Sequence, residues 1–554
     1  MNLELRYLGR SDVENSGNSS TVRFAPNLSR ERTFFDGRLQ HPLRFREAVS
    51  ALHEIVMGDL RVVKKDRGAW QAWKQAQLAE QAQTYLRIQK STHQAEMAAD
   101  VGRAPAALKE EFHKMHGLYW KARRQWEAEI RKQDPVLFRA LVPCDPIVTV
   151  APDSVFFECF SKDESSYGCL LVERSAFLGD SGAGMGTTNV DYSLALYDHF
   201  QTLRTYRDTR LLVDPSGFEV KVEDRADYRE EKIDLPPSWL RGFGQLQAAM
   251  GLPTTGVQVS VEAAYSLLAH LKRHREKTGP RSILFRLKPG APAVMVLQPW
   301  GVEIPCGGAP YDGPAPTDIK VWGRRRLMTL ARVLPLAERV DVHLMGSGLP
   351  SVWVVRMGEM RLVLALSGWT ANDWTRTASL ELLGSAYRED PGVTARIAQH
   401  LGVVRQASLS SLMNELGVPR DVVLGALHGL ARRGQLMFDF AAQVYRWRSV
   451  LPVALSENML GAEHPELAAA RMLHLQKLTV VTRAEVADGG RRLLVGTAEG
   501  RPCEALINAD GRFVNGRCDC SFFFKNKLRA GPCRHLLSLR MRDESAPAAA
   551  VYAH

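Results

Sequence analysis

Residues 512–542 read RFVNGRCDCSFFFKNKLRAGPCRHLLSLRMR, and within them Cys518, Cys520, Cys533 and His535 form a C-x-C-x(12)-C-x-H array. Three thiolates and one imidazole, arranged as two pairs, are what a tetrahedral Zn2+ requires, with Zn–S near about 2.3 Å and Zn–N near about 2.0–2.1 Å. Four protein ligands leave no position for a reactive water, so the site reads as structural. A one-residue separation suits ligands on an extended or sharply turning backbone. Behind the last ligand, Leu536, Leu537 and Leu539 open an apolar helical run able to pack beneath the metal. Upstream, LLVGTA (493–498), CEALIN (503–508) and RFVNGRC (512–518) read as strands, with turns at Glu499-Gly500 and Asp510-Gly511. The expectation is a small ββα-type zinc finger holding one structural Zn2+, with Cys503 outside the pattern and in the core. Phe522, Phe523 and Phe524 lie between the ligand pairs and either pack around the metal or stack on unpaired bases.

With strands before it and a leucine-rich helix behind, this array resembles the SWIM zinc finger, whose pattern is C-x-C-x(n)-C-x-H. A wider likeness rests on Thr33-Phe-Phe-Asp-Gly-Arg-Leu39, Gly186-Thr-Thr-Asn-Val-Asp191 and Leu235-Pro-Pro-Ser-Trp-Leu-Arg-Gly-Phe243. Together with the finger, these stretches resemble large bacterial SWIM zinc-finger family proteins, often encoded beside a MoxR-type AAA+ ATPase and a von Willebrand factor A domain protein. The resemblance implies a DNA- or protein-interaction module, zinc, and ATPase-linked partners.

Immediately N-terminal to the finger, residues 371–450 read as short helices followed by two extended pieces. Helices are expected over Ser379–Tyr387 and Val393–Leu401. Ser408 can cap a helix whose Leu409, Leu412, Met413 and Leu416 share a face and which ends at Gly417. Pro419 opens a third helix carrying Val423, Leu427 and Leu430 inward, and QLMFDF and AQVYRWR follow as strands joined at Ala441-Ala442. This layout resembles a winged helix-turn-helix. In it the last helix and the wing approach a duplex, which makes Arg420, Arg432, Arg433, Arg446 and Arg448, with His428, the expected contacts. Reuse of the module for protein docking is the other reading.

Further outward, residues 136–370 alternate β-branched runs such as SVFFECF (154–160) and MRLVLAL (360–366) with helical patterns at Val261–Arg275 and Arg324–Leu334. They form an α+β region of one or two domains. The glycine-rich stretch 179–188 lacks the lysine of a phosphate loop and reads as a turn. Residues 1–135 hold an amphipathic helix at 42–57 and, over 70–130, an Ala-, Gln-, Lys- and Arg-rich pattern broken near Gly102–Pro105, which suggests a helical hairpin. The fold class is therefore multidomain α+β: an N-terminal region (1–135), the α+β region (136–370), the winged-helix-like domain (371–450) and the SWIM finger domain (455–545).

Composition sets bounds on function. The 554 residues carry a net charge of +11, concentrated in residues 61–133 and 512–542, each at +7. Such local excess is expected of polyanion-binding surfaces, and equally of a solvated helical face for the first window. Eight cysteines are too few for a disulfide scaffold. The first residues lack a signal-peptide core, and no stretch reaches the roughly 18 apolar residues of a membrane span, so a cytoplasmic protein without membrane contact is expected. H-E-x-x-H, Walker A and G-x-S-x-G patterns are absent, and no enzymatic activity is expected. Nucleic acid, DNA before RNA, is the expected partner, through Arg517, Lys525, Lys527, Arg529 and Arg534 around the finger as well as the winged-helix arginines. The alternative is a protein-interaction subunit of an AAA+ ATPase and von Willebrand factor A system that does not touch nucleic acid.

Overall fold

The computed structural model describes residues 11–16, 19–26, 33–58, 111, 114–115, 118, 146–180, 184–190, 196–197, 200–206, 208–213, 237–250, 254–274, 281–368, 374, 389–450, 465–487, 491–507, 513–528 and 531–544. The chain divides into two compact units, residues 60–142 and the remainder. In the smaller unit only Glu111, Lys114, Met115 and Leu118 are described, all helical. The expected hairpin and the basic window at 61–133 thus lie outside the described residues, as does the helix expected at Ser379–Tyr387.

Mixed α and β structure organises the larger unit. Its centre is an antiparallel sheet of twelve strands in the order Thr317–Val321, Ile283–Leu287, Pro292–Leu297, Val302–Pro310, Thr255–Val259, Arg339–Leu344, Ser351–Met357, Met360–Leu366, Ser166–Glu173, Ser154–Phe160, Ile147–Val150 and Gly186–Asn189. The middle strands are apolar on both faces, and every residue of Met360–Leu366 is buried, so each face of the sheet must be covered. One cover is the helix Pro42–Met57, whose Phe45, Ala48, Val49, Leu52, Ile55 and Val56 follow the helical period and lie against Ser154–Phe160 and Ser166–Glu173. A second sheet of five strands runs Asp12–Ser16, Ser19–Phe24, Asp208–Val213, Phe35–Leu39 and Phe177–Asp180. It places Phe35–Leu39 between Asp208–Val213 and Phe177–Asp180, and Phe24 meets Phe157 with ring centroids 5.4 Å apart. The boundary expected at residue 135 therefore does not hold for residues 12–57. They share one core with the central region, because strands read singly from sequence find partners far along the chain. Among the described residues, the glycine-rich stretch is flanked by strand Phe177–Asp180 and strand Gly186–Asn189, and no helix N-terminus opens on it as a phosphate loop would need.

Residues 389–450 form three helices, Pro391–Val404, Leu409–Leu416 and Arg420–Arg432, and a sheet in the order Gln406–Ala407, Val444–Trp447, Leu436–Asp439. The local signals act as expected. Ser408 Oγ accepts from Ser411 N at 3.1 Å, and Gly417 ends its helix in the left-handed region at φ 62°. Ile397, Leu401, Leu412, Val423, Leu427 and Leu430 make the small core.

The C-terminal part begins with the helix Pro465–Leu475. An antiparallel meander follows, of strands Thr479–Ala487, Arg491–Ala498, Arg501–Ile507 and Phe513–Cys518, and then helices Ser521–Asn526 and Arg534–Glu544. Leu494, Ala505, Leu536, Leu537 and Leu539 are fully buried between sheet and helix. At Gly516 a Cβ would stand 2.8 Å from Leu536 Cδ1, so glycine there lets the last helix sit down on the sheet. The strand Thr479–Ala487 was not expected from the sequence, nor was the helix over the phenylalanine run. No helix among the described residues is long and apolar enough to cross a membrane.

Candidate metal centre

Strand pairing brings Cys518 to the end of its strand opposite Cys503. Two residues on, Cys520 becomes the N-cap of Ser521–Asn526, its sulfur accepting from Phe523 N at 3.4 Å. Cys533 and His535 straddle the start of Arg534–Glu544. One ligand atom from each of the four lies within 4.8 Å of the others. For an ion bound to one sulfur and one nitrogen at tetrahedral angle, the S···N edge is roughly 3.6 Å. Cys518 Sγ and His535 Nδ1 are 3.6 Å apart, so the donor set fits zinc in type and in spacing. His535 thus offers Nδ1, while Nε2 faces Glu499 Oε2 at 3.4 Å. A carboxylate on the second ring nitrogen fixes the tautomer and raises the basicity of the ligating nitrogen. Glu499 was read only as half of a turn; nothing in its spacing from His535 pointed to this role.

Contacts from Cys533 and then His535 hold the Cys518 thiol down to about 4, despite burial. That same contact with Cys518, with burial added, pushes Cys533 upward. Cys503 Sγ donates to Gly496 O, and burial pushes its thiol up to about 12, which makes it a core thiol as expected. The residues would hold one Zn2+ with a closed shell, and the chemistry it supplies is cross-linking of strand end, knuckle and helix.

The cations expected around this centre fall into two groups. Arg517, Lys525 and Lys527 are exposed. Arg534 instead clamps Glu466: its Nη2 donates to Oε1 at 2.6 Å and its backbone N to Oε2 at 2.7 Å, tying the metal-bearing helix to Pro465–Leu475. Arg534 thus has a structural role, with its side chain still 42% exposed. Arg529 lies outside the described residues. The phenylalanine run is also sorted: Phe523 is buried, Phe522 half-buried and Phe524 is 75% exposed.

In residues 389–450 the arginines expected at a duplex are placed quite differently. Arg446 is 1% exposed and donates to Asp153 at 2.6 and 2.9 Å, to Asp439 at 3.0 Å and to Gln406 at 2.6 Å. Arg448 is wholly buried, 3.3 Å from Glu158 and stacked 4.8 Å over the Phe243 ring, and Tyr167 Oη donates to Glu158 at 2.6 Å. Both are corrections. These strands face the central sheet, and their arginines neutralise carboxylates there rather than phosphates. The hairpin tip is occupied as well, with Phe440 packed 4.9 Å from His343. The helix Arg420–Arg432 packs on its own module, where Ala426 and Ala431 join the core and Gly429 lies against Glu389, and it also contacts the helix Pro237–Met250. Arg433 donates to Glu389 at 2.6 Å; Arg420 and Arg432 are exposed at the helix ends. Burial and the neighbouring Arg432 push His428 down to about 4, so it is neutral at pH 7.

No family model matches the chain, and no curated protein matches it. Among solved structures, it is similar at 11% identity and TM-score 0.27 to proliferating cellular nuclear antigen from Entamoeba histolytica, over 40% of this chain and 89% of that one. Likewise, a PCNA2–PCNA3 complex from Sulfolobus tokodaii matches at 10% identity and TM-score 0.27, over 41% and 92%. A. fulgidus PCNA bound to the C-terminal region of FEN-1 matches at 12% identity and TM-score 0.28, over 41% and 91%.

Proposed function

We propose that this chain is a zinc-stabilised, non-enzymatic nucleic-acid-binding protein whose contact face is the SWIM-type finger. The observation that carries the reading is the meeting of Cys518, Cys520, Cys533 and His535 within 4.8 Å, with exposed Arg517, Lys525 and Lys527 on the same small module. A bound zinc would hold these cations in fixed relation, and each phosphate they neutralise releases counterions. The three helices and hairpin of 389–450 support the winged-helix reading, but their buried arginines favour a bracing role. Arg420 and Arg432 then remain as peripheral contacts.

The test is salt dependence. Three phosphate contacts give a slope of log affinity against log salt of about −2 to −3. Binding that is absent, or indifferent to salt, refutes the reading. A second reading, a protein-interaction subunit, is favoured by Met472, Leu475, Leu478 and Val480, all exposed on the finger module. Its partners would be those the resemblance implies, a MoxR-type AAA+ ATPase and a von Willebrand factor A protein. Co-purification of these from the native host that survives nuclease treatment, by a protein that ignores nucleic acid, would establish it.

A further inference from the structure

Resting on the nucleic-acid reading of the finger, we infer that Phe524 is a stacking platform for an unpaired base, with Lys525 and Lys527 holding the flanking phosphates, so that the finger selects single-stranded over double-stranded nucleic acid. Three neighbouring phenylalanines meet different fates in one short helix. Phe523 fills the core beneath the metal site, Phe522 is half-buried, and Phe524 turns a 75% exposed ring to solvent. The backbone that carries this ring is held on both sides. Phe524 N donates to Cys520 O at 2.9 Å, so a metal ligand sets the first turn. Lys527 ends the helix at φ 53°, an unfavourable conformation for a residue with a side chain, and its N donates to Phe523 O at 2.8 Å. That turn brings Lys527 Nζ back over the rings, 5.3 Å from the Phe523 centroid and 5.5 Å from that of Phe524.

Acidic groups nearby are engaged elsewhere: Asp519 pairs with Arg501, Glu499 with His535 and Glu466 with Arg534, while Glu504 lies opposite Arg517 in the strand register. An exposed aromatic flanked by two lysines offers a π-face and phosphate partners together. Only an unpaired base can present its face to such a ring, because in a duplex both faces are stacked within the helix.

The experiment measures binding of the full chain to a labelled oligothymidylate of about 15 nucleotides and to a duplex of equal length, by fluorescence anisotropy across salt. Phe524→Ala is expected to weaken the single strand about 5- to 150-fold while leaving duplex affinity, salt slope and bound zinc unchanged. Phe524→Trp should restore or strengthen single-strand binding. Lys525→Gln with Lys527→Gln should flatten the salt slope instead. Equal weakening of both ligands, or no effect of Phe524→Ala while salt-sensitive binding persists, overturns the stacking inference alone. Absence of any binding by the zinc-loaded protein overturns the nucleic-acid reading along with it.

Discussion

Replacing Arg448 by methionine tests whether the strands of residues 436–447 brace the fold or face a ligand. In the intact protein Arg448 and Glu158 are both fully buried, 3.3 Å apart. Burial raises the Glu158 pKa, with Arg448 pulling it down and the Tyr167 hydrogen bond adding to that pull. Methionine keeps most of the side-chain volume, so the loss is electrostatic: a carboxylate remains in a dry site without its counter-charge. Breaking a buried pair from one side costs about 3–5 kcal/mol. Glu158 can escape part of that cost by taking up a proton. Its folded pKa then lies still further above the unfolded value, the folded state binds more protons, and stability falls as pH rises through that interval. Urea unfolding of Arg448→Met at pH 8 should show a loss of about 3–5 kcal/mol that shrinks toward pH 5. Adding Glu158→Gln should remove the new pH dependence and recover much of the loss. If Arg448→Met costs under about 1 kcal/mol and instead abolishes nucleic-acid binding, the bracing argument fails and Arg448 is a contact.

Cys520→Ser should lower bound zinc well below one per chain and raise hydrogen exchange across residues 465–544 while the central sheet stays protected; an unchanged zinc content by elemental analysis shows that Cys520 is not a ligand. Glu466→Ala should cost about 1–3 kcal/mol in the finger, read from local exchange, because it frees Arg534 and an N-terminal helix N–H from their buried acceptor. Finger zinc should be lost progressively on acidification, since protons compete for thiolate and imidazole, and zinc titrations at pH 7.5 and 5.5 measure this. His53, pushed down to about 4 by burial and by Lys162 and Arg332, binds protons more readily once unfolded. The protein should therefore lose on the order of 2–3 kcal/mol as pH falls from 6.5 to 4, and urea midpoints for His53→Gln should show a smaller loss over that range.

What the sequence determined by itself is local. Ligand spacing in Cys518–His535, the Ser408 cap, the Gly417 stop and the leucine run after His535 are properties of nearby residues, and local backbone geometry turns them into two ligand pairs, two helix ends and a helix with an apolar face. The tertiary structure decided everything that depends on what lies opposite. Only pairing across the chain places residues 12–57 with the central sheet, sets Asp153 and Glu158 against Arg446 and Arg448, and lays Pro237–Met250 along Arg420–Arg432. An arginine in a sequence is the same residue whether a phosphate or a buried carboxylate awaits it. The same holds for the three phenylalanines, where the turn of one short helix over the core puts Phe523 inside and leaves Phe524 facing solvent.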